Sequence, residues 1–255
     1  MNKETKKIRM DEIGFGSLKL LQDPSDFCYG VDAVILSDFA SQSPRFLTKG
    51  SSDTPHIKII DLGCGNGIIP IILSHKTKNS HITGIEMRKS AYDLAVKNME
   101  LNNLEKRIHF INRDILSITE LNSAYDIVVT NPPYVAEGSG IVNHKRDSKM
   151  TARHETTAKL DDFIKVSAKL LKNKGELYMV HRPSRTVSVI NSLTRHNLEA
   201  KVIRYVSPKP ANPPNIMLIK AIKNGGPEVE IREPLYVRNE DGTYTDELMR
   251  IYERI

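Results

Sequence analysis

Between Ile57 and Leu73 the sequence leaves the backbone little choice. Ile57-Lys58-Ile59-Ile60 is short and β-branched, as a buried strand should be. It runs into Asp61-Leu62-Gly63-Cys64-Gly65-Asn66-Gly67, and Ile68-Ile69-Pro70-Ile71-Ile72-Leu73 then continues as a helix. Pro70 fits there only in the first turn, where its missing N–H costs nothing. Glycines at alternate positions between a strand and a helix describe either a tight turn or a backbone that passes very close to a ligand. Dinucleotide-binding folds space their glycines G-x-G-x-x-G, whereas here the spacing is G-x-G-x-G behind an acid. Asp61 would repel a pyrophosphate and suits a cationic group such as an amino acid's ammonium. Cys64, inside the loop, reads as a small filler rather than a reactive thiol.

Further strands succeed it, each ending in a polar residue. Ile82-Thr83-Gly84-Ile85-Glu86 ends in an acid that either grips ribose hydroxyls or caps the helix expected over Lys89 to Leu101. Ile108-His109-Phe110-Ile111 leads to Asn112-Arg113-Asp114, whose acid either receives a base amine or caps the segment after it. Asp126-Ile127-Val128-Val129 delivers Asn131-Pro132-Pro133-Tyr134. Strands separated by helical or loop segments, with their polar ends on one sheet edge, predict a mostly parallel, doubly wound α/β sheet.

Asn131-Pro132-Pro133-Tyr134 is stiff, because neither proline can join a helix or a strand ladder and each restricts its predecessor. At a strand's C-terminal end such rigidity suits a target that is a planar amine. The Asn131 side-chain oxygen and the Pro132 carbonyl can accept the two hydrogens of an exocyclic NH2. That helps the nitrogen become tetrahedral and aims its lone pair at an electrophile, an effect of orientation and electrostatics. Tyr134 stacks on the flat group. The plainer alternative is a strand-ending turn with proline chosen for rigidity.

Together these residues carry a family resemblance. The order Asp61-Leu62-Gly63-Cys64-Gly65-Asn66-Gly67, then Glu86, then Asp114, then Asn131-Pro132-Pro133-Tyr134 resembles class I S-adenosylmethionine-dependent methyltransferases, in the branch that methylates planar amines. The flanks Phe27 to Ala40, Thr151 to Thr157 and Ile231 to Leu248 make it most similar to bacterial tRNA(Val) adenine-N6 methyltransferases. The resemblance implies a Rossmann-like sheet with an antiparallel closing strand and S-adenosylmethionine as cofactor. It implies cofactor binding by Gly30, Asp32, Asp61, Gly63, Cys64, Gly65, Asn66, Gly67, Glu86, Asp114 and Asn131, with Asn131, Pro132 and Tyr134 catalytic. Target binding would fall to Pro133 and Tyr134, together with Lys145, Arg146, Arg153 and His154 in a basic segment beyond a Gly138-Ser139-Gly140 break. The sulfonium supplies the electrophile, so no metal is expected, and no Cys/His cluster has ligand spacing. Residues 1–50 would form an N-terminal extension and helix over the cofactor, and residues 51–255 the catalytic domain.

Composition agrees with such a reading without requiring it. Lys and Arg number 37 against 31 Asp and Glu, a formal charge of +6 that favours a polyanionic partner such as tRNA. Cys28 and Cys64 make no disulfide framework, which points to a reducing cytoplasm. No apolar run approaches a membrane span. In the C-terminal half, a helix is expected over Leu160 to Leu171, a fifth strand over Glu176 to Val180, and a helix over Val187 to Leu193. A closing strand pair, Lys201 to Val206 and Ile216 to Ile219, comes next. His181-Arg182 reads as a polar strand exit. Asn212-Pro213-Pro214 reads as a rigid loop flanking the site, and Asp246 to Ile255 as a short helix packing outside the core. The basic start, Lys3 to Arg9, reads as a solvated tail.

Overall fold

A computed structural model describes residues 8–25, 28–47, 57–134 and 158–255. The central sheet is built from β3 (Ile57–Leu62), β4 (Ser80–Glu86), β5 (Ile108–Asn112), β6 (Tyr125–Thr130), β7 (Leu171–His181), β8 (Leu198–Ser207), β9 (Ile216–Lys223) and β10 (Glu230–Tyr236). Its order is β10-β8-β9-β7-β6-β3-β4-β5. Neighbours are parallel except β9, which runs antiparallel to both β7 and β8. The expected mostly parallel sheet with an antiparallel closing strand is therefore what the chain forms.

The strands are apolar on both faces because both faces are covered. On one side, α1 (Val31–Ser41), α2 (Ile68–Lys76) and α3 (Lys89–Leu101) bury Ile35, Ile71 and Ala95 in a cluster with Ile59, Ile127 and Val129. On the other, α4 (Leu160–Leu170) and α5 (Thr186–Arg195) bury Ile164, Val189 and Leu193 with Ile60, Val128 and Leu177. Adjacent residues of β3, Ile59 and Ile60, thus belong to opposite cores, as the period-two pleat demands.

The chain moves outward from β3 to β4 and β5, then returns to lay β6 on the other side of β3. A crevice opens at such a reversal, outside the carboxyl ends of the strands. Leu62 pairs with both Ile85 and Thr130, which brings three strand ends level. The buried Thr130 hydroxyl donates to the Leu62 carbonyl at 2.9 Å, locking the two strands that flank the reversal.

Three features depart from the sequence expectation. Arg9 is not part of a tail: it starts β1 (Arg9–Gly14), which pairs with β2 (Leu18–Gln22) in a hairpin. β10 pairs in parallel with β8 and changes register between Arg232 and Leu235, where Pro234 cannot donate to the ladder. An edge strand tolerates that interruption, yet its Pro and charges hide it from pattern reading. Finally, α6 (Asp246–Ile251) does not lie outside the core, since Leu248 and Ile251 are buried in the first cluster.

Candidate functional site

The glycine loop joins β3 to α2. Gly63, Gly65 and Gly67 all have positive φ, at 74°, 56° and 85°. A side chain at Gly67 would also meet the Phe110 ring at 2.8 Å, so packing demands glycine there as strongly as φ does. At Gly65 a Cβ would meet nothing within 4 Å. The loop therefore turns its backbone toward open space, where a ligand can approach closely. Cys64 is buried, and its Sγ lies against Gly84, as a filler should; burial and the nearby acids Asp61 and Glu86 push its thiol pKa well up.

Asp61 is fully buried, and neither carboxylate oxygen has a hydrogen-bond partner. Burial, and secondarily Glu86, push its pKa well above the ordinary carboxylate value. A buried acid without a partner is costly, and a cation beside it would relieve the cost. The Asn66 Nδ2 is likewise buried without an acceptor. The end of β3 and the loop after it thus carry an unpaired acceptor and an unpaired donor, the complement of an amino acid's ammonium and carboxylate.

Glu86, at the end of β4, is fastened to the same loop. Its Oε2 accepts from the Gly65 N–H at 2.9 Å, and its Oε1 accepts from the Arg88 N–H at 2.9 Å. Arg88 is the N-cap of α3, so Glu86 serves loop and helix start together. Asp114 caps the short 3-10 turn Ile115–Ser117, its Oδ1 accepting from the Leu116 N–H at 2.9 Å. The Asn112 side chain donates to the carbonyls of Glu86 and Met87, stitching the ends of β4 and β5. Met87 and Leu116 are exposed large apolar residues beside these two acids. Sequence reading passed over both, because exposure of an apolar side chain is visible only in the fold.

On the other flank of the crevice, Asn131 follows β6. Its Nδ2 donates to Asp32 Oδ2 at 3.2 Å, and its Oδ1 accepts from the Tyr134 hydroxyl at 2.9 Å. That hydroxyl also lies 3.3 Å from Asp32 Oδ2. Asp32 stands in the first turn of α1 and fits there because position 30 is glycine: a Cβ on Gly30 would come within 2.7 Å of Asp32 Oδ1. Gly30 itself is extended, with φ −111°, so close approach rather than a tight turn explains it. Burial, with Asp32 adding to it, raises the Tyr134 pKa and keeps the phenol protonated. Pro132 is buried, while Asn131, Pro133 and Tyr134 are half-buried.

His181 and Arg182, at the end of β7, are part of this constellation rather than a mere exit. The His181 ring meets Tyr134 edge-on at 5.3 Å. Burial, then Arg185, push its pKa down to about 4, so it is neutral at pH 7. The Arg182 guanidinium lies over the Tyr134 ring at 4.7 Å and donates to the Asn215 carbonyl at 3.2 Å. Asn215, the residue after Asn212-Pro213-Pro214, is thus the one that reaches Arg182. Lys145, Arg146, Arg153 and His154 lie outside the described residues.

Across the sheet edge the order is therefore His181, Asn131, Gly63, Glu86, Asp114, one from each of β7, β6, β3, β4 and β5 or the loop just beyond it. At roughly 4.8 Å per strand the row spans about 19 Å, enough for an extended nucleoside joined to an amino acid. A glycine loop with a buried acid, followed by acids at the next two strand ends, defines a nucleoside-binding α/β fold. Residues 37–202 match the methyltransferase small domain family, and the chain belongs to that family. S-adenosylmethionine is the cofactor of this family. The chain is 29% identical over 183 residues to tRNA1(Val) (adenine(37)-N6)-methyltransferase of Mannheimia succiniciproducens, covering 71% of this chain and 68% of the relative. Its fold is similar to that of a predicted O-methyltransferase from Agrobacterium tumefaciens, with TM-score 0.66 and 18% identity over 87% of this chain and 95% of the other. It is also similar to M. jannaschii TYW2 in complex with AdoMet, with TM-score 0.54 and 17% identity over 87% of each chain. No helix among the described residues is long and apolar enough to cross a membrane.

Proposed function

We propose that this chain transfers the methyl group of S-adenosylmethionine to the exocyclic N6 of an adenine in tRNA, beside the anticodon of tRNA(Val). The observation that carries the reading is the Asp32–Asn131–Tyr134 triangle, set one strand away from the glycine loop with its unpaired Asp61. Asp61 and Asn66 would hold the cofactor's amino-acid end, Glu86 its ribose, and Asp114 its adenine amine, with Met87 and Leu116 against the adenine ring. The bound cofactor supplies an electrophilic methyl on a sulfonium. Asn131 Oδ1 and the Pro132 carbonyl accept the target amine's hydrogens, and Tyr134 stacks on its ring. Asp32 orients Asn131: by taking the hydrogen of Nδ2, it fixes which end of the carboxamide faces the amine. Of the described residues, those up to 47 form the extension over the cofactor and those from 57 onward the catalytic domain. The name of the Mannheimia relative supports tRNA as the substrate, and the formal charge of +6 suits it.

The test incubates purified protein and methyl-labelled S-adenosylmethionine with unmodified tRNA, DNA or cytosolic protein in separate tubes, followed by nucleoside analysis. Label in N6-methyladenosine from tRNA is expected. Label surviving ribonuclease in the protein tube would assign the same machinery to a glutamine amide, and label in DNA would make the substrate a DNA adenine.

A further inference from the structure

The Tyr134 ring, on which the target base should stack, is already covered. Arg182 lies over it at 4.7 Å, and the Arg182 backbone N–H is held by His181 Nδ1 at 2.9 Å. Among the described residues the guanidinium is anchored at one corner, by the Asn215 carbonyl of an exposed loop. Among the described residues no carboxylate lies within ion-pair distance of Arg182 or of Arg185, three residues on in the same short turn. Other arginines of this molecule do find such partners, as Arg204 does with Glu247 at 2.7 Å and Arg195 with Asp161 at 2.8 Å. Two guanidinium groups with no carboxylate partner among the described residues thus stand at the mouth of the site, beside a histidine that is neutral at pH 7.

We propose that Arg182 is a specificity residue for a base carried on a phosphodiester chain: on substrate binding its guanidinium leaves the Tyr134 ring for the phosphate adjoining the target nucleotide. The base takes the ring face that the guanidinium vacates, so one stacking contact replaces another. The planar guanidinium gains a charge-matched partner in the phosphate, two of whose oxygens it can contact with two N–H groups. Arg185 supports the exchange by raising the positive potential at the same edge. A free nucleoside or a protein carboxamide offers no anion, so it would have to displace Arg182 without compensation. The site therefore favours a polynucleotide over a neutral planar amide even though both would fit Asn131 and Pro132.

The inference rests on the RNA-adenine reading, and the experiment separates the two. Binding of unmodified tRNA to the full chain is measured against salt concentration for the wild type, Arg182→Ala and Arg182→Lys, together with kcat, KM and S-adenosylmethionine affinity. Arg182→Ala is expected to raise KM for tRNA about tenfold near 0.1 M salt and to lower the slope of log K against log salt by about one. Its kcat should change less than its KM, its cofactor affinity should stay at the wild-type value, and its affinity for adenosine should hold or rise. Arg182→Lys should keep the wild-type slope, because the charge remains. A wild-type slope in Arg182→Ala would overturn the proposal, as would equal losses of adenosine and tRNA binding, which would make Arg182 a mere support for the ring. Absence of label in RNA from the wild-type chain would instead overturn the reading beneath it.

Discussion

A single carboxamide, that of Asn131, is held from two sides. Its nitrogen donates to Asp32, while its oxygen accepts from a Tyr134 phenol that burial keeps protonated. The oxygen retains capacity for a further donor. Asn131→Ala should therefore lower kcat by about a hundredfold or more, the scale of losing one preorganised polar group, while cofactor affinity falls far less because Asp61, Asn66 and Glu86 remain to hold the cofactor. Single-turnover rates and calorimetric titration check the two halves, and an unchanged rate would remove Asn131 from the mechanism. At Asp61 the consequence is a pH dependence. Its folded pKa is raised, so as pH climbs above the ordinary carboxylate value the unfolded chain ionises first and the free protein loses stability. A cationic ligand reverses that preference and releases a proton on binding. S-adenosylmethionine affinity should thus rise with pH until Asp61 is ionised in the free protein, and Asp61→Asn should bind more weakly with the slope flattened. Titration in buffers of different ionisation enthalpy reads the proton release directly.

At the scale of elements, the hairpin is joined to the domain by side chains that imitate a strand. Asn98 on α3 accepts from the Leu21 N–H at 2.6 Å and donates to the Leu21 carbonyl at 3.0 Å. One turn further on, Asn102 does the same to Lys19, at 2.9 and 2.8 Å. Two carboxamides four residues apart thus meet alternate residues of β2. Asn98 also donates to the Asn66 carbonyl at 2.9 Å, which ties the hairpin to the glycine loop. Asn98→Ala leaves three backbone groups without that partner, at about 1–3 kcal/mol for each group that stays buried and unsatisfied. Amide exchange at Leu21 should accelerate, and S-adenosylmethionine should bind more weakly through a loosened loop. Wild-type protection at Leu21 would show that β1 holds β2 without α3.

Over the whole molecule, the two ends of the described chain brace each other. Phe15, at the hairpin turn, is buried against Tyr252 and His75, with Lys76 over its ring. Lys76 also pairs with Asp38 and Glu253. Helix α6 inserts Leu248, 3% exposed, into the same core. Leu248→Ala should cost about 2–5 kcal/mol. For a chain of this size that corresponds to a fall in Tm of roughly 4–20 °C. S-adenosylmethionine at a hundred times its Kd should recover about 2.7 kcal/mol of it if the variant's site is intact. A variant that unfolds at the wild-type temperature would show α6 to be an appendage.

What the sequence determined by itself was local: the buried strands, whose β-branched runs need no partner to be recognised, and the glycine loop, whose spacing follows from backbone sterics. Helix α3 was legible to the residue because its neighbours in sequence define its ends. The stiff Asn131-Pro132-Pro133-Tyr134 stretch was legible for the same reason. Only the tertiary structure decided what depends on residues far apart in the chain. Asp32 reaches Asn131 across 99 positions. β2 takes its partners from α3 across 77 and 83. Arg182 covers Tyr134 from a different strand, and α6 is buried because β10 and α1 lie ready to receive it. A strand end or a glycine turn is dictated by the few residues that make it, whereas a contact between two side chains is dictated by the fold that brings them together.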